Sequence, residues 1–532
     1  MKVTIKKMGI NGEGIGYIDR MPVFVPGALC GEEVEITVTE KNGRFAKGKL
    51  VRILRRSPKR VRPICSIQRR CGACPYMVCD YEEQLRFKQE DLRQSLIKYA
   101  HIDPRKIEPI RPSEKTLFYR NQCKLPCGMA EGELVNGMYM PNSNIFVPME
   151  TCFVHEKDLE IMRKRILKVL NRYQIRAYDW HQKRGLRFLI LRGFHGKFQC
   201  TLVSGEEEFP SAMIEELLAL EGMHSLWQSV QTQKKSAELF GPKMELLGGE
   251  RYLHLQMGEI TLPISPRSFF QLNTQQAVAM YACIAELVGD RNALVVEAYS
   301  GIGGISMALC RQAEEVIGIE IVKDAVLNAR ACARDNGIDN VQFLCADAAD
   351  KLLYLSKKRS IDVLVVDPPR SGLDEAMLAV ILRSKIKKVI YVSCNPSTLS
   401  KNLAVLQDRY DVGRILPFDM FPNTAKVETV AVLSRKSATK TFIPVTVSPK
   451  DMGLDEAKAQ PTYENIRKYV KETHGLTVST LNIAQMKAEC GLEMECDRSG
   501  GKQQPKCPPE KREAILDAFR HFGMIEDDSS EG

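Results

Sequence analysis

From Lys2 to Val38 apolar and polar residues alternate in short runs, Lys2-Val3-Thr4-Ile5-Lys6, Val23-Phe24-Val25 and Glu33-Val34-Glu35-Ile36-Thr37-Val38, broken by turns such as Gly12-Glu13-Gly14-Ile15-Gly16. A period of two in short runs predicts a small closed β-barrel over residues 1–57. Between Tyr81 and Tyr99 the apolar residues fall at helical spacing among many charges, which predicts a surface helix. Residues 118–257 predict mixed α/β structure, with strands at 187–191 and 199–203. From Ser268 the pattern becomes regular: a helix to Leu287, then continuous apolar runs at 293–298, 315–319, 341–345, 361–366 and 388–392. Runs of that length suit strands buried on both faces, and strands alternating with helices predict a Rossmann-like parallel sheet.

Ligands of such sheets bind beyond the carboxyl ends of the strands, so the polar residue ending each run is a candidate site residue. The first run ends on Tyr299-Ser300-Gly301-Ile302-Gly303-Gly304, a turn that lets backbone approach a nucleotide-like ligand. The second ends on Glu320, about 20 residues on, where a carboxylate can bind ribose hydroxyls. The third ends two residues before Asp347, placed for an adenine edge. No Lys-Ser/Thr pair follows to hold a triphosphate, which favours S-adenosylmethionine over ATP. The fourth ends on Asp367-Pro368-Pro369-Arg370 and the fifth on Ser393-Cys394-Asn395-Pro396. A lone cysteine after a strand is ordinarily inert core. Here Pro396 stops the ladder, Asn395 tolerates a turn, and a cation such as Arg370 favours the attacking thiolate.

At 532 residues the chain exceeds one core and predicts about three or four domains. Its 44% apolar and 27% charged residues are ordinary for a soluble protein. There is no secretory leader and no run of spanning length, so a cytoplasmic protein without a membrane partner is expected. The net charge of +10 is unevenly placed: twelve Lys or Arg and no Asp or Glu lie between Lys41 and Arg70, against an acidic Glu526-Asp527-Asp528 near the end. Such a run points to phosphate backbone.

Seventeen cysteines without a leader argue for thiols and metal rather than disulfides. Cys283, Cys310, Cys332 and Cys345 read as core. Cys65, Cys71 and Cys74 form a tight cluster that needs a fourth ligand from among Cys79, Cys123, Cys127 and Cys152; spacing alone leaves zinc and an iron-sulfur cluster open. Tyr119-Arg120-Asn121-Gln122 reads most simply as a solvated turn. Residues 437–461 read as a linker, and 462–532 as a helical extension of unassigned role, with Thr462 and Ser479 as caps and a further helix from Glu510 to Phe522.

Asp-Pro-Pro-Arg, Ser-Cys-Asn-Pro and Phe421-Pro422-Asn423-Thr424-Ala425-Lys426-Val427-Glu428, following Phe269-Phe270-Gln271-Leu272-Asn273, resemble the RNA uracil-5 methyltransferase family. The N-terminal pattern resembles a TRAM barrel, and with the cysteine cluster the whole is most similar to bacterial 23S ribosomal RNA (uracil-5-)-methyltransferases. That resemblance implies three domains at 1–57, 58–260 and 261–436, a monomer acting on RNA, a [4Fe-4S] cluster on Cys65, Cys71, Cys74 and Cys152, and S-adenosylmethionine at Gln271, Tyr299, Glu320 and Asp367. It implies Cys394 as nucleophile toward C6 of uracil and Glu428 as the base at C5, with Arg370 or Gln271 stabilising carbonyl charge. Glu297, Ser300, Lys426 and Lys401-Asn402 depart from the family's usual residues. A transfer-RNA substrate and a non-catalytic TRAM-type RNA-binding protein are the competing expectations.

Overall fold

The computed structural model describes residues 1–234, 236, 238–290, 292–436, 462–492 and 507–525. The chain separates into two units, Met1–Ala438 and Thr439–Gly532. The expected linker at 437–461 and the acidic run at 526–528 lie outside the described residues. Among the described residues no helix is long and apolar enough to cross a membrane.

Lys2–Thr4, Lys7–Met8, Gly14–Ile18, Met21–Val25, Glu33–Lys41 and Ala46–Arg55 form one curled sheet, whose two end strands, Lys2–Thr4 and Lys7–Met8, follow one another in the chain. The alternate apolar positions Val3, Ile5, Val23, Val25, Val34 and Ile36 fill its interior. The basic run is less bare than expected. Antiparallel register sets Glu35 opposite Arg52 and Glu40 opposite Lys47, giving exposed ion pairs at 2.5 and 2.7 Å. Arg60 is buried against Glu32 at 2.6 Å. The acids come from the neighbouring strand, while Lys41, Arg44, Lys49, Arg55 and Arg62 stay exposed.

Helix α1, Tyr81–Ala100, starts where Asp80 accepts the Glu83 N–H at 2.9 Å. As expected it has two faces: Glu82, Arg86, Arg93 and Lys98 are exposed, whereas Gln84, Phe87, Lys88, Leu92 and Leu96 are buried, two of them polar. A seven-stranded sheet that includes Gln122–Ala130, Leu186–Phe194 and Lys197–Ser204 packs on the helix Lys157–Arg172. Tyr119, Asn121 and Gln122 are buried rather than solvated. Asn121 Nδ2 donates to Gln271 O at 2.9 Å, tying this sheet to the next region.

That region begins with α2, Thr274–Val288. It continues through β1 Asn292–Ala298, α3 Gly304–Ala308, β2 Ala313–Glu320, α4 Lys323–Asp335, β3 Val341–Cys345, α5 Ala348–Lys358, β4 Val363–Val366, α6 Glu375–Arg383, β5 Lys388–Ser393, α7 Pro396–Leu406, β6 Tyr410–Phe418 and β7 Glu428–Arg435. The sheet order is β3-β2-β1-β4-β5-β7-β6, in which β7 alone runs against the others and pairs antiparallel with both β5 and β6. Both faces are apolar: Leu294, Val296 and Leu364 enter one core, Val295, Val365 and Ile390 the other. Cys283 and Cys332 are core as expected, whereas Cys310 is half-buried and Cys345 exposed.

In the second unit, Tyr463–His474, Thr480–Glu489 and Pro509–His521 are helices around Ile466, Val470, Ile483, Met486, Ile515 and Phe519. Thr462 and Ser479 cap the first two, and Gly475, at φ 69°, ends the first.

Candidate active site

β4 and β5 run parallel with Val366 beside Tyr391, so the Asp367 and Cys394 turns leave the sheet at one rim. β7 lies antiparallel to β5 with Thr429 opposite Ser393, which brings Glu428 to that rim. Asn395 locks the two turns together: Oδ1 accepts the Ser397 N–H at 3.1 Å as the cap of α7, and Nδ2 donates to Arg370 O at 3.1 Å.

Cys394 is half-buried just before that helix start. Burial pushes its thiol up and Glu428 adds to this; Arg370 draws it down, and Asp367 pushes it up again. Arg370 therefore acts in the expected direction, but burial outweighs it. Burial, then Asp367, pushes the Glu428 carboxyl well above its ordinary value, with Arg370 opposing. Burial lifts Asp367 to about 7. Glu297 is raised by burial to about 8, against hydrogen bonds from the Ser306 hydroxyl and N–H. The rim thus carries a row of buried carboxyls, with Arg370 as a nearby cation at its solvent edge.

The cofactor candidates line the adjoining strand ends. Tyr299 adopts φ 66°, and burial followed by Asp374 and Asp347 raises its phenol to about 12. The Gly301 N–H donates to Glu320 Oε2 at 2.9 Å and the Val322 N–H to Oε1 at 2.8 Å, fixing a carboxylate that retains lone pairs for hydroxyl donors. Gly303 sits at φ 83°, and a Cβ there would lie 2.5 Å from the Phe343 ring, so glycine is required. Asp347 Oδ1 caps α5, accepting from the Ala349 and Asp350 N–H groups at 2.9 and 3.0 Å. Gln271 is buried beside Asn121.

Cys65, Cys71, Cys74 and Cys152 line one cavity of about 290 Å³ with Met77, Met138, Met149 and Phe153. Phe269 and Leu272, which flank Gln271 in the chain, line it too. The alternatives for the fourth thiol do not reach it: Cys123 and Cys127 face the sheet core, and the Cys79 thiol donates to Tyr76 O at 3.3 Å. Backbone N–H groups of Ile67, Ala73 and Val154 face the sulfurs of Cys65, Cys71 and Cys152. Burial lifts the Cys74 thiol to about 12, against Arg120. Gln68 Oε1 and Arg120 Nε are buried at this cavity with no hydrogen-bond partner among the described residues. As the side chains stand, no three His, Cys, Asp or Glu among the described residues are grouped to hold a metal ion.

Residues 250–436 match the model of the tRNA (uracil-5-)-methyltransferase family, and residues 1–51 match the TRAM domain. The crystal structure of a Pyrococcus abyssi tRNA (uracil-54, C5)-methyltransferase with S-adenosyl-L-homocysteine superposes with a TM-score of 0.65 at 25% identity, covering 81% of this chain and 99% of that one. An uncharacterized RNA methyltransferase of Bacillus cereus is 36% identical over 447 residues, 82% of this chain and 96% of the relative. A Listeria innocua relative of the same description is 36% identical over 446 residues, 82% of this chain and 97% of its own. The chain belongs to the RNA uracil-5 methyltransferase family. Its catalytic fold is that of S-adenosylmethionine-dependent enzymes, and its N-terminal barrel is a TRAM domain.

Four departures of this methyltransferase from the usual family residues have local explanations. Glu297 reaches the Ser306 hydroxyl across the glycine turn. Ser300 Oγ is buried without a partner among the described residues, so a thiol would fit there at less cost. Lys426 lies toward Asp91 of α1, whose carboxyl burial lifts to about 6 and Lys426 draws down. Lys401 reaches the Tyr99 ring at 5.5 Å, while Asn402 Oδ1 accepts from the Leu373 N–H and the Tyr391 hydroxyl at 2.9 and 2.8 Å. Sequence reasoning missed Tyr281, whose buried phenol is raised by burial and then by Asp367, Glu297 and Glu428. It also missed the buried polar residues Gln84, Lys88 and Asp419.

Proposed function

We propose that this methyltransferase modifies C5 of a uridine in RNA, with 23S ribosomal RNA as substrate, through a temporary bond from Cys394 to C6. The meeting of Cys394, Arg370 and Glu428 at one rim, beside the glycine turn and Glu320, carries this function. Gln271, Tyr299, the Gly301 and Gly303 turn, Glu320, Asp347 and Asp367 would hold S-adenosylmethionine, which when bound would supply the methyl group for C5. Uracil C5 is a weak nucleophile until the Cys394 thiolate adds to C6 and sends the ring electrons toward O4. Arg370 stabilises charge on that carbonyl. After methylation Glu428 removes the C5 proton, the C5–C6 double bond re-forms, and the sulfur leaves. The target base must leave its stack, at about a few kcal/mol, which favours a loop or a refolded hairpin.

Cys65, Cys71, Cys74 and Cys152 are the residues that would hold a [4Fe-4S] cluster. The support is four thiols around a space rather than a point, with amide donors toward three sulfurs. The TRAM barrel and the exposed lysines and arginines of its last strand grip the RNA backbone, and the enzyme works as a cytoplasmic monomer. A transfer-RNA substrate is the second reading, favoured by the substrate of the Pyrococcus enzyme. Mass-spectrometric mapping of 5-methyluridine in ribosomal and transfer RNA from a strain lacking the gene, complemented with wild type or Cys394→Ala, tests both. One ribosomal position should lose its methyl group and regain it with wild type alone; loss confined to transfer RNA would overturn the ribosomal assignment, and rescue by Cys394→Ala the covalent route.

A further inference from the structure

The loop from Asp419 to Val427 joins β6 to β7 and delivers Glu428, which pairs with Phe418 across its base. Loops between strands ordinarily run over the surface with their carbonyls in water. This one is largely buried, and its first five carbonyls each accept a hydrogen bond from a different residue. Gln276 Nε2 donates to Asp419 O at 3.2 Å, Asn273 Nδ2 to Met420 O at 3.2 Å, and Lys88 Nζ to Phe421 O at 3.0 Å. The Tyr119 hydroxyl donates to Pro422 O at 2.9 Å and the Tyr76 N–H to Asn423 O at 3.0 Å.

Asn423 itself stands in the left-handed region at φ 67°. Its N–H donates to Gln84 Oε1 at 2.8 Å, its Oδ1 accepts from Gln84 Nε2 at 3.2 Å, and its Nδ2 donates to Thr116 O at 2.7 Å. A backbone conformation of this kind persists only where the surroundings over-determine it. By contrast, the Glu428 carboxyl makes no hydrogen bond among the described residues, so no side-chain partner sets its direction. Its aim comes from the backbone that carries it, and that backbone is the gripped loop.

We propose that residues 419–423 form a positioning strap for proton removal from C5, in which Gln84 and Tyr119 are positioning residues that aim Glu428 without touching substrate. The inference rests on Glu428 being the base of the proposed reaction. Weakening the grip leaves thiol addition and RNA binding intact and slows only the step that releases the sulfur, so the enzyme collects as a covalent RNA adduct.

The test uses full-length Tyr119→Phe and Gln84→Met, with wild type and Glu428→Gln alongside, on RNA from the strain lacking the gene. Turnover, KM for RNA and the fraction of denaturation-resistant protein–RNA adduct are measured, together with the urea unfolding midpoint. The expected result is a fall in kcat of about ten- to a hundredfold, KM within about twofold, and a rise in adduct toward the level of Glu428→Gln. Tyr119→Phe removes a single hydroxyl and carries the test if Gln84→Met does not fold. Wild-type turnover in the variants, or lost turnover without extra adduct, overturns the strap while leaving the base in place. Absence of adduct in Glu428→Gln removes the base assignment, and the strap fails with it.

Discussion

Lys88→Met is the most demanding perturbation of the fold around this site. Lys88 and Asp419 form an ion pair in which both side chains are fully buried. The Asp419 carboxylate has one further hydrogen-bond partner among the described residues, the Tyr81 hydroxyl at 2.8 Å on Oδ2. Burial pushes the Lys88 amine below its ordinary value, against the pull of Asp419. Removing the amine leaves a buried carboxylate without its cation, which costs ~3–5 kcal/mol, while Phe421 O loses one donor and keeps the Thr424 N–H at 3.2 Å and the Thr424 hydroxyl at 2.8 Å. The cost is a large share of the ~5–15 kcal/mol that holds a typical domain folded. In the double variant K88M/D419L the unpaired charge is gone, and the Tyr81 hydroxyl gives up Asp419 as acceptor but keeps the Ser113 N–H at 2.7 Å. Its loss should shrink to about 2 kcal/mol. Urea unfolding of wild type, both single variants and the double variant, followed by circular dichroism, gives the coupling energy. Additive losses, with the double variant the least stable of the four, would refute the claim that the pair acts as a unit.

Methylation should accelerate as pH rises through and above neutrality, because Cys394 must lose a proton to attack, Glu428 must lose one to act as base, and burial holds both above their ordinary values. Arg370→Met removes the charge that draws both down and should move the rise to higher pH; an unmoved profile would count against Arg370 facing these groups. Cys65→Ser, Cys71→Ser and Cys74→Ser should each bleach the visible absorbance of anaerobically purified protein while Cys79→Ser keeps it, since Cys79 lies outside the cavity. A colourless, zinc-containing wild type would contradict the cluster. Ser300→Cys should raise stability by about 1 kcal/mol in urea unfolding, because Ser300 Oγ is buried without a partner among the described residues; destabilisation would show that the hydroxyl has one.

The parallel strands and their polar ends were legible because a strand buried on both faces appears in the chain as an uninterrupted apolar run, as 363–366 and 389–392 do. Their juxtaposition followed from the shared direction of such strands. What could not be read was polarity satisfied at long range. Gln84, Lys88 and Tyr119 meet partners 339, 331 and 303 residues away, so each looked like a residue belonging in water. The same blindness applied to the basic run, whose acids sit opposite on an adjacent strand at a separation of 17 residues for Glu35 and Arg52. Spacing could not choose among four candidates for the last thiol either. Chain direction at the start of the central sheet turns Cys123 and Cys127 into the core and leaves Cys152 at the cavity.

The carboxylate at the rim presents two requirements that conflict. A base for a carbon-bound proton is stronger when its carboxyl is desolvated and unshared, and hydrogen bonds that fix its direction would also stabilise its anion and weaken it. Glu428 meets the first requirement by lying 2% exposed beside Asp367 with no hydrogen bond of its own among the described residues. The second is transferred to the peptide groups before it, whose carbonyls tolerate strong donors without altering the acid. Arg370 at the solvent edge tempers Glu428 and Cys394 together, so its removal should slow both deprotonations. A loss of aim in the loop should instead spare the first and delay the last. The two kinds of substitution are therefore separable by the species that accumulates: free enzyme with unreacted RNA after loss of Arg370, and the covalent adduct after loss of Tyr119 or Gln84.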